Sequence, residues 1–245
     1  MKSFIQLILQ SVFGYRNYLF IFSLFTSFRL KWDKKEKDFF KFLELIDNST
    51  GLILDIGANI GIMTKHLSKH FKQASVLAFE PIPSNVSTLK RIIQFYRLEN
   101  VEIKELALSD KNGEAEMILP VLKGVKKQGL SHMNVHENEK GIKFKVKTKR
   151  LDDIDEVKQI KVLAIKLDVE NHEFFVLQGA RQILKRDKPV IYSELWENEN
   201  RQKCFLFLRE LGYKVYCCHQ KELLLYNEQK HHTQNFIFLT MHTER

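Results

Sequence analysis

The sequence predicts an α/β fold in which helices cover both faces of a mostly parallel sheet. Continuous apolar segments, typical of strands buried on both sides, alternate with segments of helical period along residues 51–211. Hydrophobic residues make up 44% of the 245-residue chain and charged residues 28%, which suits one globular domain. One interruption of this rhythm, over residues 114–150, predicts an inserted β-hairpin.

An N-terminal helical extension is predicted over residues 1–50. Segment 4–29 is rich in Phe, Leu and Ile but is interrupted by polar residues, namely Gln6, Gln10, Arg16, Asn17 and Arg29. Its longest nearly apolar run, 18–25, is far shorter than the roughly 20 residues of a membrane-spanning helix. We expect these helices to pack on the domain or to form a homodimer, with peripheral membrane contact through residues 1–30 as the alternative.

The cysteines and the N-terminal segment indicate the cellular compartment of the protein. The three cysteines lack the spacing of a disulfide framework or a metal site, and no small-residue cleavage site follows the apolar segment. These features favour a reducing compartment. We therefore expect a cytoplasmic protein, or one held peripherally at the inner face of a membrane.

The remaining chain, residues 51–245, is predicted to form the main domain. Parallel strands are predicted at 51–57, 75–80, 101–110, 161–170 and 188–195. Amphipathic helices are predicted at 60–71, 81–98, 172–186 and 198–211. The segments 212–219 and 234–240 are expected to close the sheet as an antiparallel pair.

The insert over residues 114–150 has a different pattern of polar and apolar residues. Its segments 114–119 and 142–150 alternate residue by residue, as paired antiparallel strands do. Residues 121–150 hold nine Lys or Arg against two Glu, so most of the net charge of +9 is local. Lysines on a strand protect an exposed edge from pairing. The alternative is a basic lid that attracts an anionic substrate.

The stretch "LDIGANIG" (54–61) follows the first strand, where an open parallel sheet binds ligands. Gly57 and Gly61 allow a close backbone approach, but Asn59 replaces the middle glycine of a dinucleotide loop. Asp55, just before the turn, would repel a phosphate and suit a cation. Glu80, which ends the second strand, is placed to accept hydrogen bonds from ribose hydroxyls. An adenosine ligand with a positive centre and no phosphates is S-adenosylmethionine.

Several stretches together resemble one family. They are "LDIGANIG", "AFEPIPSN", "ELALSD", "VKTKRLDDI", "LAIKLDVENHEFFVLQGARQIL", "PVIYSEL" and "NFIFL". From about residue 52 to 240 the chain resembles the FkbM family of S-adenosylmethionine-dependent methyltransferases. The resemblance implies a class I methyltransferase (Rossmann-like) fold with a seven-stranded sheet, and O-methylation of a sugar or glycan. It places the cofactor against Asp55, Gly57, Ala58, Asn59, Gly61, Glu80, Pro81, Ala107 and Asp110.

Departures from the family pattern lie on the expected acceptor side. Asn171 replaces a glycine in the motif "DVENHE" (168–173), and "GLSH" (129–132) stands where the family often has glycine and serine. These leave the acceptor open among a surface glycan, a nucleotide sugar and a glycosylated natural product. Glu194, His172 and Ser131 are the residues expected to bind it.

The general base is expected at the end of the fourth strand. Asp168 and Glu170 are the leading candidates, with His132 and His172 as alternatives. Asp168 and Glu170 would point in opposite directions on an extended segment, unless the turn has begun by Glu170. With Glu194 they could also bind Mg²⁺ or Ca²⁺, but the spacing does not require a metal.

Other classes of function are less well supported. The basic insert lacks interleaved aromatic residues, and the chain shows no recognition helix or zinc-finger pattern, so no nucleic-acid partner is expected. "YNEQK" (226–230) has the Tyr-x-x-x-Lys spacing of some nicotinamide-dependent enzymes but lies between two late strands. A member that binds the cofactor without turnover remains an alternative.

Overall fold

The computed structural model describes residues 2–33, 36–122, 124–133, 141–219 and 222–240, with side chains from Gln6 onward. The strands in chain order are β1 (Leu52–Ile56), β2 (Ser75–Phe79), β3 (Val101–Lys104), β4 (Ala107–Leu108), β5 (Gly113–Leu122), β6 (Val125–Lys126), β7 (His132–Met133), β8 (Gly141–Lys149), β9 (Val162–Leu167), β10 (Val190–Glu194), β11 (Tyr213–His219), β12 (Glu222–Leu225) and β13 (Asn235–Thr240). The helices are α1 (Lys2–Phe13), α2 (Tyr15–Arg29), α3 (Lys37–Glu44), α4 (Ile62–His70), α5 (Pro83–Tyr96), α6 (Asp155–Gln159), α7 (Glu173–Gln178), α8 (Arg181–Asp187) and α9 (Glu199–Glu210).

The main sheet has the order β12-β11-β13-β10-β9-β1-β2-β3. Its strands β10, β9, β1, β2 and β3 are parallel, and β13 runs antiparallel to both β10 and β11. The chain adds β2 and β3 on one side of β1, and β9 and β10 on the other. The strand order therefore reverses at β1 and β9, which is where such sheets bind ligands.

The predicted fold is confirmed, but the main sheet has eight strands in the described residues and not seven. The additional strand, β12, pairs antiparallel with β11 from Tyr216–Leu225 to His219–Glu222. The segment is short and lies at the edge of the sheet, with Leu225 exposed. A strand of this kind leaves little periodic signal in the sequence because only one neighbour holds it.

Two other predicted elements are divided in the structure. The predicted strand 101–110 is split, because β3 pairs with β2 whereas β4 pairs with β8 in a second sheet. The predicted helix 172–186 is two helices, α7 and α8, with Gly179 between them. A Cβ on Gly179 would lie 2.1 Å from the carbonyl oxygen of Ser109, so this close approach requires glycine.

The predicted β-hairpin insert is confirmed. Strands β5 and β8 pair antiparallel from Gly113–Thr148 to Pro120–Gly141, and β6 and β7 add to β5. One face of this sheet packs Met117 and Val146 against Ile82 of the main domain. Lys123 and residues 134–140 of the predicted basic loop lie outside the described residues.

The N-terminal helices pack on the rest of the chain, and α3 packs on the main sheet. Phe39 and Phe42 of α3 are fully buried and contact Tyr192 of β10, with ring centroids 5.9 and 5.6 Å apart. Helix α2 packs on α4 and α5. Within the described residues, no helix combines the length and apolar character needed to cross a membrane.

Helix α3 should therefore contribute to the stability of the whole domain. We expect Phe39→Ala to lower the free energy of unfolding by about 3–5 kcal/mol, because it leaves a cavity under the sheet. Urea denaturation measures the change. Leu206→Ala, at a side chain that is 60% exposed, is the control and should cost about 0.5 kcal/mol or less. Equal small effects would show that α3 lies outside the cooperative core.

Candidate functional site

A buried ion pair joins β1 and β9, the two strands at which the strand order reverses. The strand registers align Asp55 of β1, Lys166 of β9 and Tyr192 of β10 across one face of the sheet. Lys166 Nζ lies 3.4 Å from Asp55 Oδ1 and donates a hydrogen bond to the carbonyl oxygen of Gly57 at 2.8 Å. Burial disfavours the charged lysine, but the nearby carboxylates outweigh it and raise the pKa of Lys166.

The glycines of the loop after β1 serve contacts within the protein. Gly57 has a φ of 77°, and a Cβ there would lie 1.9 Å from the carbonyl oxygen of Asp168. Gly61 has a φ of 82° and precedes α4, where a Cβ would lie 2.7 Å from Leu89 Cδ1. Both positions therefore require glycine whether or not a ligand approaches.

Glu80 anchors the loop from the neighbouring strand. Its Oε2 accepts a hydrogen bond from the Asn59 backbone N–H at 2.8 Å. Its Oε1 accepts from the Ile82 N–H at 2.9 Å and from Asn85 Nδ2 at 3.2 Å. Burial raises the pKa of Glu80 to about 7, although these donors oppose the shift.

An inner cavity of about 380 Å³ lies beyond the carboxyl ends of β1, β2, β9 and β10. Ten of the sequence-predicted site residues line it: Gly57, Asn59, Glu80, Pro81, Ala107, Ser131, Asp168, Glu170, His172 and Glu194. The insert supplies part of the wall through Met117, Leu130 and Met133. The cofactor and acceptor residues named from the sequence thus meet in one space.

Five other predicted residues do not line this cavity: Asp55, Ala58, Gly61, Asp110 and His132. Asp55 is fully buried, and Thr64 Oγ1 donates a hydrogen bond to its Oδ2 at 2.6 Å. Ala58 is also buried, in a core cluster with Ala78 and Leu89. The contribution of Asp55 is therefore indirect, through Lys166 and the loop that Lys166 holds.

The motif "DVENHE" forms a tight turn after β9. Glu170 and Asn171 have positive φ values of 52° and 70°. Asparagine tolerates this conformation better than most residues, which explains how it can replace a glycine. Glu173 is buried and accepts hydrogen bonds from the Val169 N–H at 3.1 Å and the Asn171 N–H at 3.2 Å. Because the chain has turned by Glu170, both Asp168 and Glu170 line the inner cavity.

The carboxylates of this turn lie close to one another. Burial, followed by repulsion from Asp168 and Glu194, raises the pKa of Glu170 to about 8. Burial and the charge of Asp168 likewise raise the pKa of Glu194 to about 7. Asp168 Oδ2 lies 3.7 Å from Lys166 Nζ, which compensates its charge. Glu170 is thus a carboxyl group that can exchange a proton near neutral pH.

His172 is held by a short polar chain. Its Nε2 lies 3.0 Å from Ser109 Oγ, which donates a hydrogen bond to Asp110 Oδ1 at 3.1 Å. Its ring stacks on Phe175 with centroids 4.8 Å apart. Burial lowers the pKa of His172, although Asp110 opposes the shift. His172 is therefore neutral near pH 7, and Asp110 orients it from outside the cavity.

An outer cavity of about 500 Å³ adjoins the inner one, since Leu130, Met133, Glu170, His172 and Trp196 line both. Phe175, Leu122 and His132 also line it. The side chains of Trp196 and Phe175 are 39% and 41% exposed. Sequence reasoning missed both, because their placement depends on how α7 meets the end of β10.

The lysines of β8 lie away from both cavities. None of Lys143, Lys145, Lys147 and Lys149 lines either cavity in the described structure, and Lys143 Nζ pairs with Glu116 Oε1 at 3.0 Å. Sequence reasoning also missed Lys166, which lies beneath the loop after β1. A lysine inside the apolar run "VLAIKLDV" was a usable signal, because a buried charge requires a partner.

The side chains around the inner cavity fit an organic cofactor better than a metal ion. Within the described residues, no group of three or more His, Cys, Asp or Glu is arranged to hold a metal ion. Asn59 Oδ1 and Asn85 Oδ1 are buried and have no hydrogen-bond partner among the described atoms. Both residues line the inner cavity with Glu80, so the site offers acceptors to a ligand rich in N–H and O–H groups. S-adenosylmethionine, with its ribose hydroxyls, ammonium and sulfonium, fits this set.

Removing the buried cation should destabilise the protein. We expect Lys166→Met to lower the free energy of unfolding by about 3–5 kcal/mol, because Asp55 is then a buried charge without a partner. Adding Asp55→Asn should restore part of the loss, and urea denaturation of the four proteins in the cycle measures this coupling.

The control is Lys158→Met, which removes an exposed ion pair with Asp155 and should cost about 1 kcal/mol or less. Strictly additive losses in the Lys166→Met and Asp55→Asn cycle would contradict the ion-pair account.

Known methyltransferases are similar to this chain in sequence or in fold. Methyltransferase 1 of Beauveria bassiana (strain ARSEF 2860) is 28% identical over 142 residues, which cover 52% of this chain and 57% of that protein. Methyltransferase sdnD of Sordaria araneosa is 26% identical over 196 residues, covering 68% and 75%. The crystal structure of methyltransferase FkbM from Methylobacillus flagellatus KT shares the fold, with a TM-score of 0.51 at 16% identity.

These similarities cover only part of some relatives. The chain spans 57% of the length of the Beauveria protein, and the Methylobacillus match covers 78% of this chain but 44% of the other. The model of the methyltransferase FkbM domain matches residues 55–215, which contain the loop after β1, Glu80 and the "DVENHE" turn. The chain therefore belongs to the FkbM methyltransferase family, with S-adenosylmethionine as its methyl donor.

Proposed function

We propose that this protein is an O-methyltransferase that methylates a hydroxyl of a carbohydrate, namely a surface glycan, a nucleotide sugar or a glycosylated natural product. The observation that carries the proposal is the position of Glu170. It lines both the inner cavity, which fits the cofactor, and the outer cavity, which is open to an acceptor. A carboxylate at this border can accept the proton of an attacking hydroxyl.

The outer cavity supports a sugar acceptor. Trp196 and Phe175 present partly exposed aromatic surface, on which the C–H faces of a sugar ring can pack. Glu170 and His132 line the same cavity and offer hydrogen bonds to hydroxyl groups. An apolar platform with a few polar groups is typical of sites that orient small ligands.

Residues of the inner cavity would hold the cofactor, which supplies an electrophilic methyl group. Glu80 would accept hydrogen bonds from hydroxyls, while the carboxylates of Asp168 and Glu194 favour a positive charge. Glu170 would take the proton of the acceptor as its oxygen attacks. Positioning the acceptor oxygen in line contributes much of the rate of such a displacement. His172 would orient the acceptor through its neutral ring.

Substitution of the proposed base tests the chemistry. We expect Glu170→Gln to lower kcat by about 100- to 10,000-fold, with little change in cofactor affinity, because a general base contributes about that much. The wild-type kcat/KM should rise with pH through a midpoint near pH 8, the pKa of the Glu170 carboxyl, and level off above it, where the carboxyl is ionised. The variant should lose this rise.

Glu199→Gln is the matched control, since its side chain is exposed on α9. It should leave both kcat and the pH profile unchanged. Full activity of Glu170→Gln would exclude Glu170 as the base and turn attention to Asp168.

Ligand binding tests the inner cavity separately. We expect S-adenosylhomocysteine to raise Tm and NAD⁺ to leave it unchanged, because a ligand of the folded state stabilises that state. Glu80→Gln should weaken S-adenosylhomocysteine binding by about 10- to 100-fold, the worth of hydrogen bonds to a charged group. Calorimetry measures the affinity, and urea denaturation checks that the variant folds. Stabilisation by NAD⁺ alone would contradict the cofactor assignment.

The acceptor can be found by mass spectrometry. Glycans of cells with and without the protein should differ by the mass of one CH2 unit, since a methyl group replaces a hydrogen, and the purified protein should restore this difference with S-adenosylmethionine. The methyl is expected on oxygen. A methylated amine, or a methylated nucleic acid, as the product would contradict the proposal.

A further inference from the structure

Helix α2 buries two serines beside Tyr18 and Leu19, and it exposes large apolar side chains. Its buried residues are Tyr18, Leu19, Ser23 and Ser27. Ser23 Oγ donates a hydrogen bond to the carbonyl oxygen of Ile60 at 2.8 Å. Phe25 and Phe28, on the opposite side, are 57% and 66% exposed. Apolar side chains therefore lie on both the buried and the exposed side of α2, unlike those of an amphipathic helix on a protein surface.

The exposed residues form a continuous stripe. Ile21, Phe25, Phe28 and Trp32 are spaced by four, three and four residues, which places them on one side of the helix. The rings of Phe28 and Trp32 have centroids 5.1 Å apart. The guanidinium of Arg29 lies 5.3 Å from the Phe25 ring centroid.

Helix α1 extends this surface. Its inward side bonds to the insert, where Lys127 Nζ donates to Gln6 Oε1 at 2.6 Å and Gln10 Nε2 donates to the Lys126 carbonyl oxygen at 3.3 Å. Four large apolar side chains among the described residues of α1 are exposed. We define the N-terminal apolar face as Ile8, Leu9, Val12, Phe13, Ile21, Phe25, Phe28 and Trp32. Exposed apolar side chains grouped on two helices that contact each other are a feature of interaction sites.

Positive charge accompanies this face. Residues 1–32 contain four basic residues, Lys2, Arg16, Arg29 and Lys31, and no Asp or Glu. Lys31 also lies near Lys65 of α4, since burial and then the charges of Lys31 and Lys69 lower the pKa of Lys65. Cations therefore collect at the end of the stripe that carries Trp32. The first acidic residue in the chain is Asp33.

We propose that the N-terminal apolar face docks on the surface of a bilayer that contains anionic phospholipid. The helices are 12 and 15 residues long, too short to span and long enough to lie in the interfacial plane. Trp and Phe side chains suit the headgroup region, where apolar and polar surroundings meet. Arg29 and Lys31 then lie beside lipid phosphates, whose charge complements theirs.

A second copy of the chain fits this face less well. A two-fold dimer through it would bring the same surface of each copy together. Arg29 and Lys31 of the two copies would then share one interface, and residues 1–32 contain no carboxylate to compensate them. A bilayer with anionic headgroups covers the apolar side chains and pairs the cations at the same time. The inference does not depend on the proposed acceptor or on the identity of the general base.

Sedimentation with vesicles tests the apolar part of the proposal. The full chain should bind vesicles of phosphatidylcholine that contain phosphatidylserine, and bind those of phosphatidylcholine alone more weakly. We expect Phe25→Gln/Phe28→Gln/Trp32→Gln to lower vesicle affinity by about 10-fold or more. Because all three side chains are exposed, urea denaturation and the response to S-adenosylhomocysteine should not change.

The matched control removes three exposed apolar side chains elsewhere. Ile160, Leu206 and Leu225 are 42%, 60% and 60% exposed on other elements, and their replacement by Gln should leave vesicle binding unchanged. Undiminished binding by the first triple variant would overturn the proposal. So would a wild-type dimer that the same substitutions dissociate, together with no vesicle binding.

A second pair of variants separates local charge from net charge. Arg29→Gln/Lys31→Gln should weaken binding to phosphatidylserine vesicles by several-fold, and added salt should reduce the difference. Lys145→Gln/Lys147→Gln removes the same charge from exposed positions of β8 and should have no effect. Equal losses in the two pairs would show that the net charge of +9 attracts the vesicles without a defined face, which would overturn the proposal.

Discussion

The site depends on one buried lysine. Lys166 binds the carbonyl oxygen of Gly57 and lies within ion-pair distance of Asp55 and Asp168. It therefore joins β1, the loop after β1 and the end of β9 at the point where the strand order reverses. Because the two strand ends meet so closely, the carbonyl of Asp168 occupies the space of a side chain at Gly57. The loop that bounds the inner cavity follows from this contact.

The electrostatics of the cavity follow from the same arrangement. Burial raises the pKa of Glu80 and Glu194 to about 7 and that of Glu170 to about 8. Several carboxyl groups thus share one buried ammonium, and a cationic ligand relieves their repulsion. A pyrophosphate, which is negatively charged, would add to this repulsion. The chemistry of the cavity walls distinguishes a sulfonium cofactor from a dinucleotide more sharply than the glycines do.

The insert connects the cavities to the N-terminal helices. Its inner face supplies Met117 and Met133 to the wall of the inner cavity, while the lysines of β8 face away. Gln6 and Gln10 of α1 bond to Lys126 and Lys127, just before the segment 128–131 that lines the inner cavity. Hydrogen bonds therefore connect helix α1, which carries part of the N-terminal apolar face, to the segment that lines the inner cavity.

The sequence alone determined the parallel sheet, its antiparallel closing pair, the hairpin insert and the strand ends that carry Glu80, Asp168 and Glu170. These follow from local periodicity and from the rule that parallel strands present their carboxyl ends at one edge. The tertiary structure alone decided that Asp55 is buried against Lys166, that β12 extends the sheet, and that Trp196 and Phe175 line a second cavity. Each depends on contacts between residues far apart in the chain, such as Gly57 and Lys166, which are separated by 109 positions. Local pattern specifies which face of a strand is buried, but only the pairing of strands specifies which side chains meet there.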